Sequence, residues 1–305
     1  MVAKTRDAVP FLAAATLSVL LIIGFARPAT AVTGSLPTDL GPVSGQVESS
    51  SCENICETLR AALESFSEVV EFSGSNVTLE QAQDAIDCIY REPSFFYLES
   101  AEMTCSNGYV QTICLSYVAT RSKLPRLVQS YEEGLCKAIS SLHIPENASD
   151  ADRALAVHDY LIESCTYRSV EATTEPLAYT AYGAIVDREC VCDGYSFACI
   201  ALLQLLGVNC EYVPSTEMCH SWVLVEIDGN WYHMDCTWDD NATERYGGGI
   251  VRDAFLRSDS SMKEMGYTGW SASHEAPFDW TDYATPNTSR AQSTNPRSRP
   301  SLLER

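Results

Sequence analysis

The segment from residue 197 to residue 206 constrains the fold most, because it is apolar on nearly every side. A helix without a polar face has to be covered by other elements of the fold. Gly207 directly after it predicts the end of the helix, since glycine readily takes the left-handed conformation found there. Cys192 is predicted to lie at or just before the start of this helix. Free N–H groups and the helix macrodipole favour negative charge at that position, which suits a cysteine nucleophile.

Two later segments, 220–227 and 230–235, have high β propensity and flank Asp228-Gly229, which predicts a hairpin with a type I′ turn. With this turn, residue 227 pairs with residue 230, and His220 and Asp235 are diagonal neighbours on one face. Such side chains start roughly 7–8 Å apart, within reach of a hydrogen bond once both lean inward. A turn shifted by one residue would keep the shared face but separate the two further. The pattern therefore predicts an imidazole oriented by a carboxylate.

Several short motifs surround these residues. They are Tyr182-Gly183, Cys192-Asp193-Gly194-Tyr195-Ser196, His220-Ser221-Trp222, Asp228-Gly229-Asn230-Trp231-Tyr232-His233-Met234-Asp235 and Thr237-Trp238-Asp239-Asp240. In this order they resemble the bacterial transglutaminase-like superfamily, over roughly residues 150–280. The region before residue 149 resembles, more weakly, the extension that often precedes this domain in exported bacterial members.

The resemblance implies an α+β fold with a papain-like core, in which a buried helix carries the cysteine against an antiparallel sheet. It also implies roles for three side chains: Cys192 as nucleophile, His220 as general base and then acid, and Asp235 as the residue that orients His220. The backbone N–H of Cys192 would be one oxyanion donor, and Tyr182 is a candidate second donor. No metal ion or cofactor is expected. Ser221 departs from the family pattern, because alanine is usual at its position.

Other interpretations of the cysteine have to be weighed. Cys192 could be half of a disulfide, as is common in exported chains, and Cys190 is its nearest rival as nucleophile, although the spacing to Gly194-Tyr195 favours Cys192. The domain could also keep the fold as a binding module without activity. Thiolates and imidazole suit Zn²⁺, although this region has no Cys-x-x-Cys motif. The residues for such a site are Cys190, Cys192, Cys219, His220 and Cys236.

The first residues predict export. Lys4 and Arg6 precede an apolar run over residues 11–26, and small residues before residue 32 suit a signal peptidase, so cleavage is expected after Ala31. The run is shorter than the roughly 20 residues of a membrane-spanning helix. We therefore expect a secreted or envelope-associated protein that contacts a membrane only through its transient signal segment.

The mature chain is predicted to be strongly acidic. The full sequence has 20 basic and 41 acidic residues, and residues 1–31 contain three basic residues and one acidic residue, which leaves a net charge of about −23. Such a surface repels nucleic acid and anionic lipid. Thirteen cysteines predict a disulfide framework in an exported chain. Because thirteen is odd, at least one thiol stays unpaired or bridges two chains.

Composition divides the chain into a signal peptide (1–31), a flexible linker (32–51), an N-terminal α+β extension (52–148), a transglutaminase-like domain (149–284) and a disordered tail (285–305). In the extension, apolar spacing from Cys56 to Val70 predicts a first helix. A capping box of Thr78 and Gln81 predicts a second. Asn107-Gly108 predicts a hairpin between two aromatic and β-branched runs.

A further helix is predicted from Ser149 to about Cys165. His158 falls on its apolar face, and we interpret it as a hydrogen-bonded core histidine. His233 shares the face of His220 in the hairpin, and we interpret it as a packed strand residue.

The predicted chemistry is acyl transfer through a thioester, on peptide or side-chain amides. Water as the acceptor would make the protein a protease or amidase, whereas an amine would make it a cross-linking transglutaminase. The sequence leaves the acceptor open, with water as the default. Proteins and cell-wall peptides are both reachable substrates for an exported enzyme.

Overall fold

The structure is a computed structural model that describes residues 2–3, 43–44, 52–142, 144–169, 175–247 and 249–280. Apart from two short strands, the predicted signal peptide (1–31) and linker (32–51) lie outside these ranges, as does the predicted tail (285–305). Within the described ranges, every helix is too short or too polar to span a bilayer.

The described residues form seven α-helices and ten β-strands. The helices are α1 (Cys52–Glu64), α2 (Leu79–Tyr90), α3 (Leu124–Ser141), α4 (Asp150–Ser164), α5 (Cys192–Leu205), α6 (Cys236–Tyr246) and α7 (Asp259–Met265). The strands are β1 (Val2–Ala3), β2 (Val43–Ser44), β3 (Val69–Glu71), β4 (Leu98–Ser106), β5 (Tyr109–Tyr117), β6 (Thr166–Tyr167), β7 (Glu189–Cys190), β8 (Cys210–Ser215), β9 (His220–Ile227) and β10 (Asn230–Met234). A 3₁₀ turn (Pro176–Tyr179) and a π-helical segment (Gly183–Asp187) precede β7.

The chain divides into two compact units. The first comprises residues 1–136 and 175–186, and the second comprises residues 137–174 and 187–305. The division falls inside α3, whereas the composition of the sequence placed a boundary after residue 148.

The first unit is built on a five-stranded sheet in the order β1-β4-β5-β3-β2. β4 and β5 form the predicted hairpin, in which Ser106 pairs with Tyr109. Asn107 and Gly108 are the turn residues, with φ of 53° and 85°, as a type I′ turn requires. The predicted capping box is also present at the start of α2, with reciprocal hydrogen bonds between Thr78 and Gln81.

The first helix is shorter than the apolar spacing predicted. α1 ends at Glu64, and Val70 lies in β3, where it pairs with Ile113 of β5. The chain leaves helical geometry at Phe66, which has a φ of 53°. Val70 is fully buried in the sheet, so its apolar character is explained equally well by a strand. Spacing alone could not separate the two.

In the second unit, α5 packs against a three-stranded antiparallel sheet in the order β10-β9-β8. Every α5 residue from 192 to 203 is buried, as predicted for a helix with no polar face. Gly207 follows with a φ of 76°. Its N–H donates to Gln204 (3.0 Å), and the N–H of Val208 donates to Leu203 (2.9 Å), which is the Schellman arrangement. The predicted α+β architecture is confirmed.

The hairpin of β9 and β10 has the predicted register. Ile227 pairs with Asn230, and His233 lies opposite Leu224. Asp228 and Gly229 have positive φ values of 51° and 77°. The region before β9 was predicted as a loop, but it contains β8. This strand is the third of the sheet, and it pairs with β9 up to His220, the first residue of β9.

Candidate active site

Cys192 is the first residue of α5, as predicted, and it is 5% exposed. The preceding Val191 is the N-cap and makes no side-chain hydrogen bond to the first turn. A valine offers no oxygen to the N–H groups that a helix leaves unpaired at this end. The thiol therefore lies beside backbone donors and the positive end of the helix dipole.

His220 begins β9, and Asp235 directly follows β10. Their side chains meet through a hydrogen bond of 2.7 Å between Nε2 of His220 and Oδ2 of Asp235. Both side chains are nearly excluded from solvent, at 6% and 1% exposure. The hairpin register thus brings together the two residues that the sequence placed on one face.

Asp235 receives three hydrogen bonds. In addition to His220, the hydroxyl of Tyr267 donates to Oδ2 (2.6 Å) and the backbone N–H of Trp238 donates to Oδ1 (3.0 Å). The last contact makes Asp235 the N-cap of α6. Burial of a carboxylate is costly unless donors replace water, and these three donors do so.

The two charges shift each other's proton affinity. Burial disfavours the charged ring of His220, but the charge and hydrogen bond of Asp235, together with Cys192, outweigh burial and hold the pKa of His220 well above its usual value. Burial likewise opposes ionisation of Asp235. His220, Tyr267 and the N–H of Trp238 outweigh it and lower the pKa of Asp235. The arrangement therefore favours a proton on the imidazole and a negative charge on the carboxylate.

Cys192 lies near enough to His220 to raise the pKa of the imidazole. Since Nε2 donates to Asp235, Nδ1 is the ring nitrogen that remains for the thiol. The structure thus brings together all three predicted residues in the order thiol, imidazole, carboxylate, which is the order that a cysteine nucleophile needs.

A polar network lies beside the thiol. The carboxylate of Asp193 is buried and accepts hydrogen bonds from the hydroxyls of Tyr212 (2.7 Å) and Ser221 (2.6 Å). The hydroxyls of Ser221 and Ser196 are 3.2 Å apart, and Ser196 donates to the carbonyl of Cys192 (3.0 Å). Burial raises the pKa of Asp193. Ser221, where the family usually has alanine, thus connects β9 to the first turns of α5.

Tyr182 lies in the first unit, whereas the other three predicted site residues lie in the second. Its ring is buried next to Phe96, with ring centroids 5.1 Å apart, and its backbone N–H donates to the hydroxyl of Thr180 (3.1 Å). Its contribution to an oxyanion hole stays a prediction.

The residues around the triad have other partners. The sulfurs of Cys190 and Cys165 are 3.4 Å apart, and Cys199 raises the pKa of the Cys236 thiol. The five residues weighed above for zinc do not form a group of metal-ligand atoms within 4.8 Å of one another. Among the described residues, such a group of His, Cys, Asp or Glu side chains is found in the first unit.

Tyr267 is the site residue that the sequence did not reveal. It lies after α7, 32 residues from Asp235, so no spacing or motif connects the two. Its full burial is also what a tyrosine in any core would show.

The comparisons with known proteins agree with this geometry. Residues 139–236 match the family model of the transglutaminase-like superfamily, and this range includes Cys192, His220 and Asp235. Kyphoscoliosis peptidase of Mus musculus is 28% identical over 123 residues, which cover 35% of this chain and 18% of the mouse protein. The chain therefore carries a core of the transglutaminase-like superfamily, a family that includes cysteine proteases and transglutaminases.

Solved structures show more distant likenesses. A transglutaminase is 16% identical, with a TM-score of 0.33, over 57% of this chain and 50% of its own. A candidate cysteine protease from Cytophaga hutchinsonii is 18% identical, with a TM-score of 0.30, over 60% of this chain and 79% of its own. At such TM-scores these likenesses add nothing to the family match.

Proposed function

We propose that this protein is an exported, cysteine-dependent acyl-transfer enzyme that acts on peptide or side-chain amides through a thioester. The observation that supports it most is the 2.7 Å hydrogen bond between His220 and Asp235, together with Cys192 close enough to the same imidazole to raise its pKa. The signal-like first 31 residues support export to the envelope or beyond.

The first half-reaction follows from the arrangement of the three side chains. With the proton on Nδ1 of His220, the sulfur of Cys192 attacks the carbonyl carbon of the amide as a thiolate. The oxyanion that forms would be met by the backbone N–H of Cys192 at the helix N-terminus. The C–N bond then breaks, the imidazolium returns the proton to the leaving amine, and a thioester remains on Cys192.

The second half-reaction regenerates the enzyme. His220 removes a proton from water or from an amine, which attacks the thioester carbon, and the C–S bond breaks. Asp235 stays ionised throughout and stabilises the imidazolium, because three donors hold its pKa low. Water as acceptor gives hydrolysis, and an amine gives a new amide bond.

The substrate class is a protein or a cell-wall peptide, because an exported amide-cleaving enzyme meets both. With 40 acidic residues after the signal segment, the surface favours substrates that are neutral or basic over nucleic acid or anionic lipid.

The decisive experiment traps the thioester. Mature protein (residues 32–305), purified without thiol reductant, is incubated with glutamine-containing and cell-wall peptide amides, with and without a fluorescent primary amine, and quenched in acid for intact-mass measurement. Cys192→Ala is the inactive counterpart, and Cys114→Ser is the matched control because Cys114 is an exposed cysteine of the first unit.

We expect an acyl adduct on Cys192 in the wild type and in Cys114→Ser, and none in Cys192→Ala. Incorporation of the amine into the peptide would identify a transglutaminase, and release of ammonia or of a cleaved peptide without incorporation would identify an amidase or protease. Finding Cys192 in a disulfide, or no adduct with any amide, would favour the non-catalytic binding module instead.

A further inference from the structure

Three cysteines of the first unit lie close together, far along the chain from the candidate active-site cysteine. Cys52 and Cys56 are one helical turn apart in α1, and Cys88 lies in α2. Their sulfur atoms all lie within 4.8 Å of one another. Cys56 is buried, Cys52 is half-buried and Cys88 is exposed, so the cluster has a closed side in the core and an open side towards solvent.

We propose that Cys52, Cys56 and Cys88 bind one thiophilic metal ion, Zn²⁺, which connects α1 to α2. Zinc–thiolate bonds of about 2.3 Å in a tetrahedron place two sulfur ligands about 3.8 Å apart. Side-chain rotations that draw the sulfurs together by less than about 1 Å would reach this spacing from the upper limit observed. The open side leaves the fourth position to a water molecule.

The donor set selects the class of metal. Three sulfurs without a carboxylate or imidazole suit soft closed-shell ions and do not suit Mg²⁺ or Ca²⁺, which take oxygen ligands. Burial and the neighbouring thiols raise the pKa of Cys56 to about 12, and burial also raises the pKa of Cys88. A thiol binds a metal ion as the thiolate. Coordination removes the protons, which are released to the buffer.

Fixed positive charges support a negatively charged site. Arg60 lies one turn after Cys56, and Arg91 directly follows α2. Both stabilise the ionised form of a nearby cysteine. Three thiolates and Zn²⁺ carry one net negative charge, which these side chains partly compensate. Arg60 also binds Glu92 through Nε and Oε1 (2.9 Å), which connects the two helices independently of any metal.

A disulfide is the alternative to a metal ion, but it can join only two of the three cysteines. Side chains four positions apart on a helix have Cβ atoms about 5–6 Å apart, whereas a disulfide needs about 3.5–4.5 Å. Cys52 and Cys56 therefore cannot be bridged without unwinding the start of α1. A bridge from Cys88 to either one leaves the third thiol unpaired beside it, where thiol–disulfide exchange is favoured. A metal ion engages all three.

The test measures metal binding to the mature protein. Metal content is determined as purified. Metal-free protein is then titrated with Zn²⁺ against a chromophoric chelator, and Co²⁺ is added separately to detect thiolate coordination by its charge-transfer absorption. Cys88→Ser removes the most exposed ligand and is the least disruptive to the core. Cys114→Ser controls for the loss of a cysteine outside the cluster, and Cys192→Ala controls for zinc on the candidate nucleophile.

We expect one Zn²⁺ per chain in the wild type, Cys114→Ser and Cys192→Ala. Loss of a group that only hydrogen-bonds a metal ligand costs roughly 10–100-fold in affinity, so Cys88→Ser should weaken binding by more than about 100-fold. Zinc should also raise the Tm of the wild type but not that of Cys88→Ser. The proposal is overturned by a disulfide from Cys88 to Cys52 or Cys56, by substoichiometric zinc, by unchanged binding in Cys88→Ser, or by binding that disappears with Cys192. None of these outcomes depends on acyl-transfer activity.

Discussion

Three buried histidines of the second unit contact carboxylates, and two of them, His158 and His220, contact carboxylates at the start of α6. Nε2 of His220 is 2.7 Å from Asp235, and Nε2 of His158 is 3.1 Å from Asp239. Asp235 caps α6 and Asp239 lies in the first turn of the same helix. The difference is at the other ring nitrogen. Nδ1 of His158 contacts Asp159 (3.0 Å), whereas His220 has the thiol of Cys192 as its further partner.

This difference decides which histidine can transfer a proton. Burial disfavours the charged ring of His158, but hydrogen bonds to Asp159 and Asp239 outweigh it and raise its pKa to about 10. Asp159 is in turn bound by Arg252. With an acceptor at each nitrogen, His158 has no site from which to take a proton. A cysteine, a histidine and an aspartate that lie close together are therefore not enough for a nucleophile site. The second ring nitrogen of the histidine must also face the thiol rather than another carboxylate.

The same contrast applies to the thiols. Cys236 is near enough to His158 for their charges to interact, but Cys199 and burial hold the pKa of Cys236 well above the usual value. Cys192, at the start of α5, lies against an imidazole and a helix N-terminus. We expect the first site to be chemically silent and the second to react.

The strongest test of this contrast is His220→Ala. Proton transfer by a positioned side chain contributes typically about 10²–10⁴-fold, so alkylation of Cys192 by iodoacetamide near neutral pH should slow by about that range. The rate is followed by mass spectrometry of the modified peptide, and circular dichroism checks the fold. Equal rates in the variant and the wild type would contradict any role for His220 in activating the thiol.

His158→Ala should have the opposite profile. Removing one partner of a buried ion pair costs about 3–5 kcal/mol, because the remaining charge is left without compensation. The free energy of unfolding, measured in urea, should fall by that amount, while the alkylation rate of the folded protein stays within about twofold. A large drop in alkylation with little loss of stability would reverse the roles assigned to the two histidines.

His158→Ala and the wild type should also differ in how their free energy of unfolding depends on pH. A histidine whose pKa is raised by folding stabilises fully below its unfolded pKa of about 6.5, and this contribution is lost as pH rises through the folded value, about 10 for His158. The free energy of unfolding of the wild type should therefore decrease from pH 7 to pH 10 more steeply than that of His158→Ala. His220 contributes with the same sign in both proteins, so it does not account for the difference.

Tyr267→Phe tests how strongly the hydroxyl of Tyr267 supports the pair of His220 and Asp235, and its expected effect is of intermediate size. It removes the 2.6 Å hydrogen bond to Asp235, and bonds to charged groups contribute about 1.5–3 kcal/mol. We expect a loss of stability in this range and about tenfold slower alkylation of Cys192. Asp235 stabilises the fold above its unfolded pKa, and this is lost as pH falls through its folded pKa. Without the donor from Tyr267 that loss should begin at a higher pH.

Tyr160→Phe is the matched control for this change. Among the described residues, the buried hydroxyl of Tyr160 has no hydrogen-bond partner, so its removal should leave both stability and alkylation nearly unchanged. If both variants behaved alike, the hydroxyl of Tyr267 would have no particular role as a positioning group.

The sequence predicted best those features that depend on neighbouring residues. Both hairpin turns, Asn107-Gly108 and Asp228-Gly229, require positive φ at two consecutive positions, which these residue types allow. The cap of α4 at Ser149 was likewise a local pattern, and Ser149 and Asp152 form the reciprocal hydrogen bonds of a capping box. Because Asp228-Gly229 fixes the register, the contact between His220 and Asp235 could be derived from the turn.

Features that depend on distant partners were missed. β8 contains Pro214 and was predicted as a loop, but its backbone pairs with β9, and that partner is known only from the fold. Val70 follows the helical spacing of α1 but lies in a strand for the same reason. The donor from Tyr267 to Asp235 depends on how the chain returns after α7, which no local pattern encodes.

The smallest expected effect concerns Ser221, which departs from the family pattern in the triad region. Ser221→Ala removes a hydroxyl that donates to Asp193 and lies 3.2 Å from the hydroxyl of Ser196. A buried hydrogen bond contributes about 1 kcal/mol net, while Tyr212 still donates to Asp193, so stability should fall by about that amount. Alkylation of Cys192 should change by less than about threefold, because neither His220 nor Asp235 loses a partner. A loss as large as that of Tyr267→Phe would mean that the Asp193 network helps to position Cys192.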